Sequence, residues 1–247
     1  MIEIRNLSKS FEDTVVLNDL SCKIDKNVFT ALLGASGAGK STLLRCINGL
    51  IVADSGTIIV SDKEIPRKEK DLRKFRKNIG IIFQQFNLVK RLTVLENVLC
   101  GRLSYTPFWR SMLKKFTDAD YELAEYYLKK VGLYEKRFQR ASRLSGGQQQ
   151  RVAIARALVQ QPEILLADEP VASLDPKTAR DVMRLLVDIS KEEGITLVVT
   201  LHSVELAMEY SEKIIGLKKG KIVVEYNTGQ IGKSDLLQLY EDVEVSE

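Results

Sequence analysis

Three observations predict an α/β fold built around a phosphate-binding loop. Short apolar, strand-like runs recur at residues 29–33, 79–83, 164–167 and 195–201. Helical periodicity lies between them, as in Val182, Leu185, Leu186 and Ile189. The first run leads into Gly34-Ala35-Ser36-Gly37-Ala38-Gly39-Lys40-Ser41, which has the G-x-x-x-x-G-K-S spacing of a P-loop, and 41–47 after it suits a helix. Glycines let the backbone turn its N–H groups inward, and those donors, with the helix N-terminus, favour a phosphate chain. In this pattern Lys40 reaches the β- and γ-phosphates and the Ser41 hydroxyl ligates Mg²⁺.

Bulk properties bound the rest. A length of 247 residues suits one large domain or two small ones. The net charge of +4 is too mild to argue for nucleic acid. Met1-Ile2-Glu3-Ile4-Arg5 lacks the basic region and long apolar run of a signal peptide, and no apolar stretch approaches 18 residues. Cys22, Cys46 and Cys100 are isolated, with no C-x-x-C, and read as core residues in a reducing compartment. A cytosolic setting is therefore expected.

Taken in order, Ile2-Glu3-Ile4 alternates like an edge strand and opens a β-rich segment that includes Phe11, 15–17 and 20–24. Asn48-Gly49 ends the loop's helix as a C-cap would, Asp54-Ser55-Gly56 reads as a turn, and 57–60 as a strand. The charged run 67–77 suits a solvated helix or loop. The strand at 79–83 delivers Gln84-Gln85 to its C-terminal end, where α/β proteins place ligand groups. Thr93-Val94-Leu95-Glu96 is a capping box. Strand signals vanish over 101–143: a loop at 105–110 holds the only Trp, and Ala124, Tyr127, Leu128 and Val131 mark an amphipathic helix before Gly132. This reads as an inserted helical subdomain, with 1–100 and 144–247 as the α/β core of a single domain.

Leu144-Ser145-Gly146-Gly147-Gln148 opens the next helix, a second potential anion site with Ser145 as a donor. The strand at 164–167 delivers Asp168 and Glu169, two carboxylates suited to Mg²⁺ and water chemistry beside a P-loop. Asp175 is placed to N-cap a helix with Pro176 at its first position, and Gly194 ends it. The strand at 195–201 ends at His202, the only histidine, and a polar site role is expected of it. A hairpin over 214–225, a short helix over 234–240 and an acidic tail over 241–247 close the chain.

The ordered set GASGAGKS, FQQ, LSGGQ, ILLADE, SLD and a single post-strand His resembles the ATP-binding subunit of ATP-binding-cassette (ABC) transporters along nearly the whole chain. The resemblance implies a P-loop NTPase core, a RecA-like mixed sheet flanked by helices, with an N-terminal antiparallel β subdomain. It implies ATP and Mg²⁺ as ligands, with Gly34, Ala35, Ser36, Gly37, Ala38, Gly39, Lys40, Ser41 and Thr42 on the nucleotide and Phe11 stacked on adenine. It implies Gln84, rather than Gln85, as the sensor of Mg²⁺ and the γ-phosphate, Asp168 on the Mg²⁺ side with Ser41, Glu169 as general base and His202 on the γ-phosphate. Ser145, Gly146, Gly147 and Gln148 would close over the nucleotide of a second copy in a head-to-tail dimer, with Asp175 communicating across it. The 101–143 segment would face membrane permease subunits, at the cytoplasmic face of the membrane.

Within that family, residues 87–103, Tyr105-Thr106-Pro107, Trp109-Arg110-Ser111 and 169–176 with Val171-Ala172 resemble phosphonate-importer ATPases, which implies a solute-binding protein as an indirect partner. Two other readings are weighed. A subunit for export or lipoprotein release lacks the support of the 87–111 segment. A soluble cassette acting on ribosomes or DNA would carry tandem cassettes, a coiled-coil insertion or a basic arm.

Overall fold

A computed structural model describes residues 1–107 and 115–240. The Trp109-Arg110-Ser111 motif and the acidic tail lie outside the described residues. The strands are β1 (Ile2–Phe11), β2 (Thr14–Ile24), β3 (Phe29–Leu33), β4 (Ser55–Val60), β5 (Lys63–Glu64), β6 (Ile79–Ile82), β7 (Ile164–Ala167), β8 (Thr196–Leu201), β9 (Lys213–Lys218) and β10 (Lys221–Asn227). The helices are α1 (Lys40–Ile47), α2 (Glu69–Phe75), α3 (Val94–Leu99), α4 (Asp118–Lys130), α5 (Gly146–Leu158), α6 (Pro176–Glu193), α7 (Val204–Tyr210) and α8 (Lys233–Leu237).

Two sheets form. The first is antiparallel, in the order β2-β1-β4-β5. The second runs β10-β9-β3-β8-β7-β6; its five members from β9 to β6 are parallel and β10 pairs antiparallel with β9. The alternation expected of β1 is present, since Ile2 and Ile4 are buried, but β1 lies between β2 and β4 rather than at an edge. Alternation reports which face is buried and is silent on how many neighbours a strand has. β4 begins at Ser55, so the turn expected at 54–56 is partly strand.

Side-chain alternation on the parallel strands explains the layers. Leu32, Leu166 and Val198 point to α1 and the antiparallel sheet, where they join Ile4, Leu7, Leu17, Leu43 and Leu44 in one core. Their neighbours Ala31, Leu33, Leu165, Ala167, Leu197 and Val199 point the other way, into a core closed by α3 to α8. Continuous burial on both faces is what parallel strands covered on both sides require.

Local signals hold where they are strong. Thr93 and Glu96 cap α3 reciprocally, and Asp175 caps α6 with Pro176 at its first position. Each such cap contributes about 1 kcal/mol. α6 ends at Gly194 with φ +64, and α1 at Asn48 followed by Gly49 with φ +66. α4 buries Ala124, Tyr127 and Leu128 against α3 and α5, and its Tyr127 hydroxyl donates to Glu193 of α6 at 2.9 Å. No helix among the described residues is long and apolar enough to cross a membrane.

Candidate nucleotide site

Four neighbouring parallel strands, in the order β3-β8-β7-β6, bring their C-terminal ends to one edge. From that edge emerge the 34–41 loop after β3, His202 after β8, Asp168 and Glu169 after β7, and Gln84 after β6. Ligands of open α/β sheets bind at this edge.

The loop turns sharply between β3 and α1. Gly39 has φ +101, and a Cβ there would stand 2.8 Å from the Val16 carbonyl oxygen, so a glycine is needed where β2 presses on the loop. Gly37, with φ +79, has open space on its Cβ side. Lys40 is 4% exposed and donates to the carbonyls of Gly34 at 2.6 Å and Ala35 at 2.9 Å. Burial pushes its ammonium pKa down, opposed by the Glu169 and Asp168 carboxylates. Ser36 and Gly37 are exposed, while Ser41 and Thr42 are half-buried in the first turn of α1.

A hydrogen-bonded run joins this loop to the strand ends. Ser41 Oγ donates to Asp168 Oδ1 at 2.7 Å, and Thr200 Oγ1 donates to the same oxygen at 3.0 Å. Thr200 Oγ1 also accepts the Glu169 backbone N–H at 2.8 Å. Glu169 Oε1 lies 2.6 Å from His202 Nε2, and its Oε2 accepts from Gln84 Nε2 at 2.9 Å. Register accounts for the run. Ala167 pairs with Val199, so Asp168 and Thr200 are side by side on the face that looks at α1. Glu169 has φ +46, a left-handed conformation that turns its side chain out of the strand toward His202 and Gln84. Asp168 is 5% exposed, with Arg45 Nη2 3.9 Å from its second oxygen.

The donor set fits Mg²⁺. Ser41 and Asp168 present hard oxygen atoms next to the loop, and Mg²⁺ is commonly bound by one or two protein oxygens together with substrate phosphates. No group of three His, Cys, Asp or Glu that could cage a metal occurs among the described residues. The arrangement therefore suits a cation that arrives with a phosphate ligand.

The other expected residues lie apart. Phe11 ends β1 at its hairpin with β2, 45% exposed, with the Lys9 ammonium 5.3 Å from its ring centre. Ser145 N-caps α5 by accepting from Gln148 N at 3.4 Å, and Gln148 Oε1 accepts from Ser145 N at 3.2 Å. Gly146 and Gly147 pack against Leu174 and Thr178, beside the Asp175 cap. Asp175 accepts from Thr178 N at 3.0 Å, and hydrogen bonds from Thr178 hold its carboxyl below the ordinary range. Among the described residues, no hydrogen bond or ion pair joins 145–148 to 34–42.

Two contributors escape sequence reasoning. Thr200 is fully buried inside an apolar run, and its polarity in that setting was the available signal. Arg156 of α5 donates to the carbonyls of Phe86 at 2.7 Å and Asn87 at 2.5 Å, pinning the loop after Gln84 where both residues have positive φ. Nothing local marks that contact.

The sequence pattern of the ABC transporter family matches residues 17–172, more than half of the chain. The chain is 45% identical over 246 residues to the phosphonates import ATP-binding protein PhnC of Wolinella succinogenes, covering 99% of this chain and 90% of that protein. It is 49% identical over 242 residues to PhnC of Lactobacillus johnsonii, covering 97% and 95%. Among solved structures, the dimeric bacterial ABC transporter cassette MJ0796 superposes with a TM-score of 0.82 at 34% identity, covering 92% of this chain and 99% of that one. A dimeric post-hydrolysis state of the same cassette, bound to ADP and Pi, superposes with a TM-score of 0.79 at the same identity and coverage. The chain belongs to the ABC transporter family, as one of its ATP-binding domains.

Proposed function

We propose that this chain is the ATP-hydrolysing subunit of an importer that takes up phosphonate or a related phosphorus oxyanion. Two copies, membrane permease subunits and, indirectly, a solute-binding protein would make the complex, with this chain peripheral at the cytoplasmic membrane face. The names of its relatives support the substrate class. The hydrogen-bonded run from Ser41 through Asp168, Thr200 and Glu169 to His202 and Gln84 supports the chemistry.

In this reading the 34–42 backbone cradles the phosphates and the Phe11 ring stacks on adenine. Lys40 exchanges two carbonyl acceptors for phosphate oxygens, so its charge is turned from the loop to the ligand. Ser41 and Asp168, with Gln84, would hold Mg²⁺, which would supply further neutralisation of phosphate charge. Glu169 acts as the general base, orienting a water in line with the γ-phosphate and taking its proton on a carboxylate oxygen. His202 bridges Glu169 and the γ-phosphate. A single chain leaves Ser36 and Gly37 of the loop exposed, and its own Ser145 and Gly146 are exposed as well. The same segment of a second copy would supply the missing donors, with Asp175 beside the contact. Loss of the γ-phosphate bridge would then release the pair, and residues 101–143 would pass the movement to the permease.

Glu169→Gln tests the base. It keeps the shape and hydrogen-bonding reach but removes the proton acceptor, so ATP affinity is retained and hydrolysis falls by about 10²-fold or more. Turnover within a few-fold of the unmodified chain would remove Glu169 from the role. Stimulation of the permease complex by phosphonate, tested beside phosphate and phosphite, addresses the substrate.

A further inference from the structure

We infer that Thr200 is a positioning residue for the hydrolytic step: one buried hydroxyl sets both the phosphate-side carboxylate, Asp168, and the backbone turn that aims Glu169. The inference rests on the reading of Glu169 as general base. Thr200 is 0% exposed and touches no solvent, so its polarity serves neighbours rather than surface. Apolar residues flank it, Leu197-Val198-Val199 before it and Leu201 after it, and valine would fit the shape. A hydroxyl carries one donor and two acceptor sites. Here the donor goes to Asp168 Oδ1 at 3.0 Å and an acceptor site takes the Glu169 N–H at 2.8 Å.

Those two bonds act on consecutive residues with opposite geometry. Asp168 continues the β7 strand, its N–H donating to the Ile82 carbonyl at 2.9 Å. Glu169 leaves the strand at φ +46, a conformation costly for a residue with a Cβ. The N–H of Glu169 is oriented by that turn, and Thr200 Oγ1 is its partner. Without the hydroxyl, the turn loses the bond that fixes it while the left-handed conformation keeps its cost. The Glu169 carboxylate would then sample positions away from His202 and Gln84. Asp168 Oδ1 would keep only the Ser41 bond, so Ser41 and Asp168 would lose a shared anchor. Thr200 itself is not placed on the nucleotide; it acts through Asp168 and Glu169.

The test compares Thr200→Val and Thr200→Ser in the purified chain, with Glu169→Gln alongside. Val keeps the volume and removes the hydroxyl; Ser keeps the hydroxyl and removes a methyl. MgATP hydrolysis is measured against ATP concentration, with binding of a fluorescent ATP analogue and thermal denaturation in parallel. Thr200→Val should lower kcat by about tenfold or more, with nucleotide affinity within about threefold, because the lost interaction bears on the reacting geometry rather than on ground-state binding. Thr200→Ser should restore kcat to within about threefold. A Thr200→Val kcat within twofold of the unmodified chain, while Glu169→Gln is inactive, overturns the inference and leaves the proposed function standing. Equal loss in Val and Ser also overturns it, since packing and not the hydroxyl would be responsible. Full turnover by Glu169→Gln would remove the underlying reading and this inference with it.

Discussion

Replacing Asp168 by Asn separates a metal-side acid from a buried structural acceptor. The amide oxygen can still accept from Ser41 at 2.7 Å and from Thr200 at 3.0 Å, so the local packing is retained. What changes is charge. Hydrogen bonds to an ionised group are worth about 1.5–3 kcal/mol and neutral ones about 1, so the two bonds together weaken by about 1–4 kcal/mol. The Arg45 pair, 3.9 Å apart with the arginine side chain half-exposed, adds less than about 1 kcal/mol. Relief from burying a carboxylate at 5% exposure offsets much of this. Fold stability should therefore move little, by about 1 kcal/mol in either direction. The hard-cation site loses a full negative charge, and a loss of about 1.4–3 kcal/mol there raises the Mg²⁺ needed for half-maximal hydrolysis by about 10- to 150-fold. The assay is ATPase rate against Mg²⁺ at fixed ATP, with ATP-analogue binding in EDTA as the control. A Mg²⁺ dependence matching the unmodified chain, in a variant that folds and binds ATP, would refute the assignment.

Other expectations follow from contacts outside the phosphate site. Arg156→Gln should lower stability by about 2–4 kcal/mol in denaturant titration, since it releases the carbonyls of Phe86 and Asn87 from a charged donor while both stay left-handed. Gln84 lies two residues upstream, so kcat should fall with it; unchanged stability and turnover would contradict the pinning role. Asp120 sits at 7% exposure with Arg102 Nε 2.7 Å away. Desolvation raises its pKa, and the hydrogen bonds from Arg102 and Thr117 together more than reverse that, leaving it lowered. The native state then binds fewer protons than the unfolded one, so the stabilisation is present above the ordinary aspartate value of about 3.9 and is lost as pH falls through the lowered one. Asp120→Asn should be less stable at neutral pH and should lose less on acidification; parallel stability curves from pH 7 to 3 would contradict this.

The sequence carried the parts of the molecule that are encoded locally. The 34–41 spacing, the Thr93 capping box, Asp175-Pro176 and the hairpin over 214–225 each depend on a few adjacent residues, and each takes the expected form. Strand-end placement of Gln84, Asp168, Glu169 and His202 was also legible, because apolar runs end at polar residues. Longer-range facts were not. β1 gains β4 as a second neighbour only because the chain returns after α1. Thr200 meets Asp168 through strand register, and Arg156 meets Asn87 across 69 positions. The left-handed turn at Glu169 has no glycine to announce it. Such features arise when distant segments pack, and no local pattern encodes them.

In the proposed dimer, residues 145–148 of a second copy complete the 34–41 loop. Sedimentation velocity of Glu169→Gln with ATP measures this pairing most directly, with Glu169→Gln/Ser145→Arg in parallel. ATP should convert Glu169→Gln from one chain to two, ADP should not, and the Ser145→Arg change should abolish pairing while ATP binding to the single chain persists. A single chain at saturating ATP, or ATP-dependent pairing unaffected by Ser145→Arg, would contradict the account.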